Sequence, residues 1–179
     1  MNLELSFLPT FLWLNETERF ELEKRFSENP NELWFLKHCQ GCCGRKVKPF
    51  SPSIHELPPD HLPCVFQKAV SPPLLYKQYV GSCRGYIFVS SYKPLQFAIL
   101  NEGEVYFAWE RYKDGVDKVQ SVTNLVFNKD RSWHSDADTQ TLSHFIANSI
   151  PIDSQQKALN MMRRSIAALI ATSTYRRRR

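Results

Sequence analysis

Five of the chain's eleven prolines, Pro49, Pro52, Pro58, Pro59 and Pro63, crowd into one short stretch. Proline locks φ and lacks the backbone N–H, so such a stretch is neither a helix nor a central strand. Residues 44–63 are therefore expected to form a stiff loop. That loop divides the chain into an N-terminal helical arm (1–38), a proline-rich basic loop (39–64), an α+β body (65–175) and a flexible arginine tail (176–179). A chain of 179 residues is long enough to bury a core of its own as one domain.

On either side of the loop the apolar pattern differs. Residues 3–14 read as an extended apolar segment. A helix follows, capped by Asn15, with Glu16 and Glu18 at its positive end and Lys24 and Arg25 at its negative end. Leu22 and Phe26 form its apolar face, and Pro30 stops it. A second short helix, about 31–39, is expected to offer Leu33, Trp34 and Leu36 to the core, with Gly41 as its stop. Beyond the loop the period becomes two. Strands are expected at 63–70, 85–92, 95–101, 104–111 and 117–128, with Asn101-Glu102-Gly103 and Lys113-Asp114-Gly115 as turns. Short gaps favour antiparallel neighbours. In 104–111, Val105, Phe107 and Trp109 alternate with Glu104, Tyr106, Ala108 and Glu110, which predicts one buried and one wet face. The final third is helical. Asp136 and Asp138 precede a helix at 139–150 that carries Leu142, Phe145 and Ile146 on one face. After Pro151, Asp153 or Ser154 caps a longer helix to about 173, with Leu159, Met162, Ile166, Leu169 and Ile170 at helical spacing.

Glu4 and Pro9 interrupt the apolar start and no basic stretch precedes it, which argues against a signal peptide. The apolar run at 166–171 is too short to span a bilayer. Five cysteines, an odd number, fit reduced thiols better than a disulfide framework. The expectation is a cytoplasmic protein without membrane attachment.

Charge is distributed in blocks. Residues 1–34 are net −4, 35–100 net +6, 101–138 net −3 and 139–179 net +6. Such segregation suits a polyanionic partner. The bases that would contact phosphates are Arg45, Lys46 and Lys48 in the loop, Lys118 with Gln120 on an expected strand, Lys129 and Arg131 after it, Arg163 and Arg164 on the last helix, and the tail Arg176, Arg177, Arg178 and Arg179.

The cysteines and histidines carry the one motif with defined spacing. Cys39 and Cys42 form C-x2-C, and His55 and His61 follow as H-x5-H. The whole, C-x2-C-x12-H-x5-H, resembles the ligand spacing of Cys2His2 zinc fingers over residues 39–61. The resemblance implies a structural zinc, with Cys43 and Cys64 as alternate ligands. Pro58 and Pro59 between the histidines exclude the finger's helix, so the expected form is a zinc-pinned loop.

Other constellations are weaker. His134, Asp136 and Asp138 could hold a cation, although acids ahead of a helix also stabilise its first turn. Gly81-Ser82-Cys83-Arg84-Gly85 pairs a thiol with a base, and a loop between strands explains it as well. The order strand, helix, helix over 117–173 resembles a ribbon-helix-helix module, which would make Lys118, Gln120 and Asn124 its readers. There is no G-x-S-x-G, Walker loop or G-x-G-x-x-G, which argues against an enzyme.

The resulting expectation is an α+β fold: an antiparallel sheet of four to five strands packed by two C-terminal helices, with an N-terminal helical arm and a zinc-pinned loop. The expected function is nucleic-acid binding, to DNA or RNA, with a structural zinc. The alternatives are a protein–protein adaptor docking other subunits through Trp13, Trp34 and Phe35, and a metal-dependent nuclease using Glu104, Glu110 or Asp114.

Overall fold

The computed structural model describes residues 8–113, 115–123 and 139–176. The fold is α+β, with two antiparallel four-stranded sheets and two C-terminal helices. It divides into two compact units. Among the described residues, one unit holds those up to Gly81 and those from Tyr106 to Thr123; the other holds Ser82–Val105 and those from Thr139 onward.

The first unit is built around an aromatic core. Helix α1 (Glu16–Glu28) begins where the sequence predicts, with the Asn15 side chain accepting from the N–H groups of Thr17 and Glu18. Leu22 and Phe26 are its buried residues. They cover a sheet ordered β1-β4-β2-β3, made of β1 (Thr10–Leu12), β2 (Trp34–His38), β3 (Val47–Phe50) and β4 (Cys64–Lys68). Register places Phe11 and Leu36 on either side of Phe66, and Trp34 opposite Phe50. Phe66 is fully buried, and its ring lies 5.5 Å from those of Trp13 and Phe26 and 5.0 Å from that of Phe50. Tilted and edge-on geometries of this kind suit the quadrupole of each ring.

Two expectations change here. The segment expected as a second short helix is strand β2. Its Trp-Phe-Leu run has the aromatic bias of a strand, and pairing on both sides fixes it in the sheet. The proline-rich stretch holds an edge strand, β3. Pro49 is accommodated there because, among the described residues, β3 pairs with β2 alone and lies at the sheet edge, where a missing N–H breaks no ladder.

The second sheet is ordered β5-β6-β7-β8, from β5 (Leu75–Tyr76), β6 (Tyr79–Tyr92), β7 (Leu95–Phe107) and β8 (Gln140–Thr141). The boundary between the units falls within β6 and β7. The strand expected at 95–101 and the first half of that expected at 104–111 are one continuous strand ending at Phe107, and Asn101-Glu102-Gly103 is no turn. Gly103 serves a different purpose: a Cβ there would stand 2.4 Å from the Arg84 carbonyl oxygen. Only glycine lets β6 and β7 approach so closely at that point. Gly115, at φ +76°, does occupy a turn conformation. The expected alternation in β7 is also absent, since Val105, Tyr106, Phe107 and Ala108 are all buried. Both faces of the strand are covered along that stretch.

The segment expected as a strand from 117 begins instead as a short helix, α2 (Lys118–Ser121); its part from 124 onward lies outside the described residues. Helix α3 (Leu142–Ser149) buries Leu142, Phe145 and Ile146, as their spacing predicts. Its N-cap is Thr141, which accepts from His144 N–H. Asp136 and Asp138 lie outside the described residues. Helix α4 (Ile152–Arg176) follows Pro151.

Phe66→Ala should cost about 3–5 kcal/mol, because it leaves a cavity among three rings. Urea unfolding of the two proteins measures it; a loss below about 1 kcal/mol would show that β4 is not the centre of this core.

Candidate functional site

Two regions gather polar and charged side chains, one in each unit. In the first unit the hairpin loop between β2 and β3 carries Cys39, Cys42, Cys43, Arg45 and Lys46. Backbone bonds shape it: His38 N–H donates to Lys46 O, Cys39 N–H to Pro63 O at 2.7 Å, and Arg45 N–H to Cys42 O. Cys43 takes φ +55° and Gly44 φ +74°, which turn the chain back toward β3. Helix α2 packs against β3, so Lys118 Nζ donates to Arg45 O at 2.8 Å. Partial burial and the nearby Lys48 charge push the Lys118 pKa down. Four expected anion contacts, Arg45, Lys46, Lys48 and Lys118, are thus brought into one basic region.

The other expected contacts do not join it. Gln120 is buried, and its Oε1 accepts from Lys113 N–H. Arg163 and Arg164 are exposed on α4 in the other unit. The side chain of Arg176 is not described; Asn124, Lys129, Arg131 and Arg177, Arg178 and Arg179 lie outside the described residues, as do Asp114 and His134. Of the remaining acids considered, Glu104 accepts from Tyr86 Oη at 2.7 Å and Glu110 is exposed.

The zinc expectation is overturned. Among the described residues, no group of three or more His, Cys, Asp or Glu side chains could hold a metal ion. The expected ligands have other roles. His55 stacks on Phe50 at 5.6 Å, and its Nδ1 lies 3.1 Å from Ser51 N, positioned to accept from that N–H. His61 is exposed in the proline-rich loop. Cys39, Cys42 and Cys43 are exposed, and the Cys43 thiol is pushed up by its hydrogen bond to Cys42 and by that neighbour's charge. Cys64 is buried on β4, where burial and the charge of Cys39 push its pKa up to about 11. A buried thiol of this kind is a sound core residue. Two of the three adaptor anchors are core residues as well: Trp13 and Trp34 are each 1% exposed, and Trp13 Nε1 donates to Pro59 O, while Phe35 is half-buried on β2.

The second region was not read from the sequence. Glu102, on β7, accepts from Ser143 N–H at 3.1 Å, from Ser143 Oγ at 2.6 Å and from Gly103 N–H at 3.0 Å. The bonds to Ser143, then those to the backbone, hold its carboxyl below the ordinary range. Its role is to cap the start of α3, where the free N–H groups and the helix dipole favour an anion. The signal available was an acidic residue beside a glycine in a strand, which resembles a turn. Next to Glu102, the Asn101 side-chain oxygen accepts from Arg163 Nη2 at 3.2 Å, tying β7 to α4.

An α+β chain with paired antiparallel sheets and a basic region accommodates a ligase as readily as a binding protein. The family model of the tubulin-tyrosine ligase family matches residues 3–176. The chain belongs to the tubulin-tyrosine ligase family. No curated protein matches it. This match corrects four expectations: the zinc-finger resemblance, the nucleic-acid-binding function with its adaptor and nuclease alternatives, the preference against an enzyme, and the zinc cofactor. The family is one of ligases. Among the described residues no helix is long and apolar enough to cross a membrane.

Chelation with EDTA is expected to leave the melting temperature unchanged, and metal analysis to find far less than one zinc per chain. A drop of several degrees would contradict this account of the loop. Glu102→Gln is expected to lower the melting temperature at pH 7. The folded-state pKa of Glu102 is depressed, so its contribution is present above the unfolded pKa and is lost as pH falls through the folded value. Melting curves from pH 7 down to pH 3 should show the two proteins converging; a constant gap would assign the loss to packing instead.

Proposed function

We propose that this chain serves an ATP-dependent ligase that joins an amino acid to a protein carboxyl group. The observation that supports it is the family match over residues 3–176; the family's name states the joining of tyrosine to tubulin. Condensing a carboxylate with an amine in water requires activation, and transfer of a phosphoryl group from ATP supplies it. The carboxylate attacks the γ-phosphorus, ADP leaves, and the amine then displaces phosphate from the acyl phosphate. Such chemistry needs positive charge near the phosphates. The region formed by Arg45, Lys46, Lys48 and Lys118 is where this chain offers it. Magnesium accompanies ATP in ligases of this kind; among the described residues no group of three or more His, Cys, Asp or Glu side chains gathers for a metal ion, and no step here runs through it. The partner in this reading is a protein substrate, and the compartment is the cytoplasm, which suits five free cysteines.

The test supplies the full chain with ATP, magnesium, labelled tyrosine and tubulin. ATP-dependent incorporation of label is expected, and the double variant Lys46→Glu with Lys48→Glu should weaken ATP binding on the order of tenfold by reversing the local potential. Absence of both ATP binding and incorporation in the wild-type chain would overturn the reading.

A further inference from the structure

The second unit carries an open cavity of about 540 Å³ beside the Glu102 cap and apart from the basic region. This size falls in the range of small-molecule sites, roughly 300–1,000 Å³. All of its lining residues belong to that one unit. Ile87 on β6, Ile99 on β7, and Leu159, Met162 and Ile166 on α4 make its walls. Gly85 on β6 also lines it, where an added Cβ would stand 3.7 Å from Ile166 Cδ1. Unbranched methionines let such walls adapt to the shape of what they hold.

The polar groups of the lining are unequally committed. Glu102 is spent on α3, through two bonds to Ser143 and one to Gly103. Arg163 is the cation of the lining. Among the described residues its guanidinium is oriented by the bond from Nη2 to Asn101 Oδ1, and that bond uses one of five N–H donors in a fork that matches a carboxylate. Apolar walls with one oriented guanidinium among them complement a molecule with a hydrocarbon body and one anionic end.

We propose that this cavity binds an aliphatic carboxylate, with its chain against β6, β7 and α4 and its carboxylate paired with Arg163. The site is separate from the ligase reading and stands or falls without it. Cys83 also lines the cavity, so its thiol reports on occupancy, while Cys42, in the other unit, serves as a control.

The experiment uses the full chain with dodecanoate, below its micellar concentration, and dodecanol as the uncharged comparison. Binding is measured by calorimetry, and location by the rate at which iodoacetamide alkylates Cys83 and Cys42, read by peptide mass spectrometry. Dodecanoate is expected to slow alkylation of Cys83 but not of Cys42. Arg163→Gln should weaken dodecanoate about tenfold, as loss of a charged hydrogen bond does, and leave dodecanol unchanged. Met162→Trp, which narrows the cavity, should weaken both. Several results would overturn the proposal: no dodecanoate binding, equal protection of the two cysteines, Arg163→Gln shifting both ligands or neither, or Met162→Trp binding as the wild type does. A thermal melt of each variant confirms that it is folded; should Arg163→Gln fail to fold, Arg163→Lys replaces it, with loss of the fork geometry again expected to weaken dodecanoate alone.

Discussion

The packing of aromatic rings about Phe66 is the constraint on which the first unit depends. β4 lies between β1 and β2, so a residue at its middle meets side chains from both neighbours and from the helix above. Phe66 touches Trp13, Phe26 and Phe50, and Phe26 in turn meets Trp34 at 5.5 Å. This explains how α1, with a narrow apolar face, can be anchored at all: two residues, Leu22 and Phe26, enter a bed of large rings. Its cations contribute too. Arg19 lies over Trp13 and Arg25 over Phe11, at 5.5 and 5.3 Å from the ring centroids. Such contacts let a highly charged helix cover an aromatic sheet without exposing the edges of the rings.

The same core accounts for the loop that the spacing of cysteines and histidines suggested was pinned by metal. The loop does not need a metal to fold around. Trp13 Nε1 holds Pro59 O, Ser53 N–H donates to Pro30 O, and Arg19 pairs with Asp60 at 3.2 Å. Phe50 reaches into the ring cluster and carries His55 on its face. A histidine stacked on a core ring and turned toward a backbone N–H is held by protein groups. Spacing along a chain says that ligands could meet; it does not say what else their side chains will meet first.

Legibility followed the range of the forces involved. Local interactions were readable: the Asn15 cap, the stop near Pro30, the buried triplet Leu142, Phe145 and Ile146, and the break at Pro151. The α+β class and antiparallel pairing followed from pattern and gap length. Residues 34–38 were misread because periodicity over so short a run does not separate a helix from a strand, and the aromatic bias toward a strand was outweighed only by the Gly41 stop signal. The continuous β7 was misread because Asn-Glu-Gly has turn composition, while its glycine serves the approach of a neighbouring strand. Of the candidate sites, the basic segment at 45–48 was visible as charge. Its junction with Lys118, and the Glu102 cap on α3, join residues far apart in sequence and needed the fold.

The sequence by itself determined the cap that starts α1 and the stop before Pro30, the break at Pro151, the apolar residues of α1 and α3, and which stretch could not be a central strand. Those properties rest on backbone geometry and on contacts within a few residues. The tertiary structure decided which strands pair, and it placed Cys64 in a core and Cys42 in solvent. It also faced α4 toward β6 and β7 around a cavity. Each of these depends on the distance between residues remote in the chain, and that distance is set only when the whole sheet and its rings pack together.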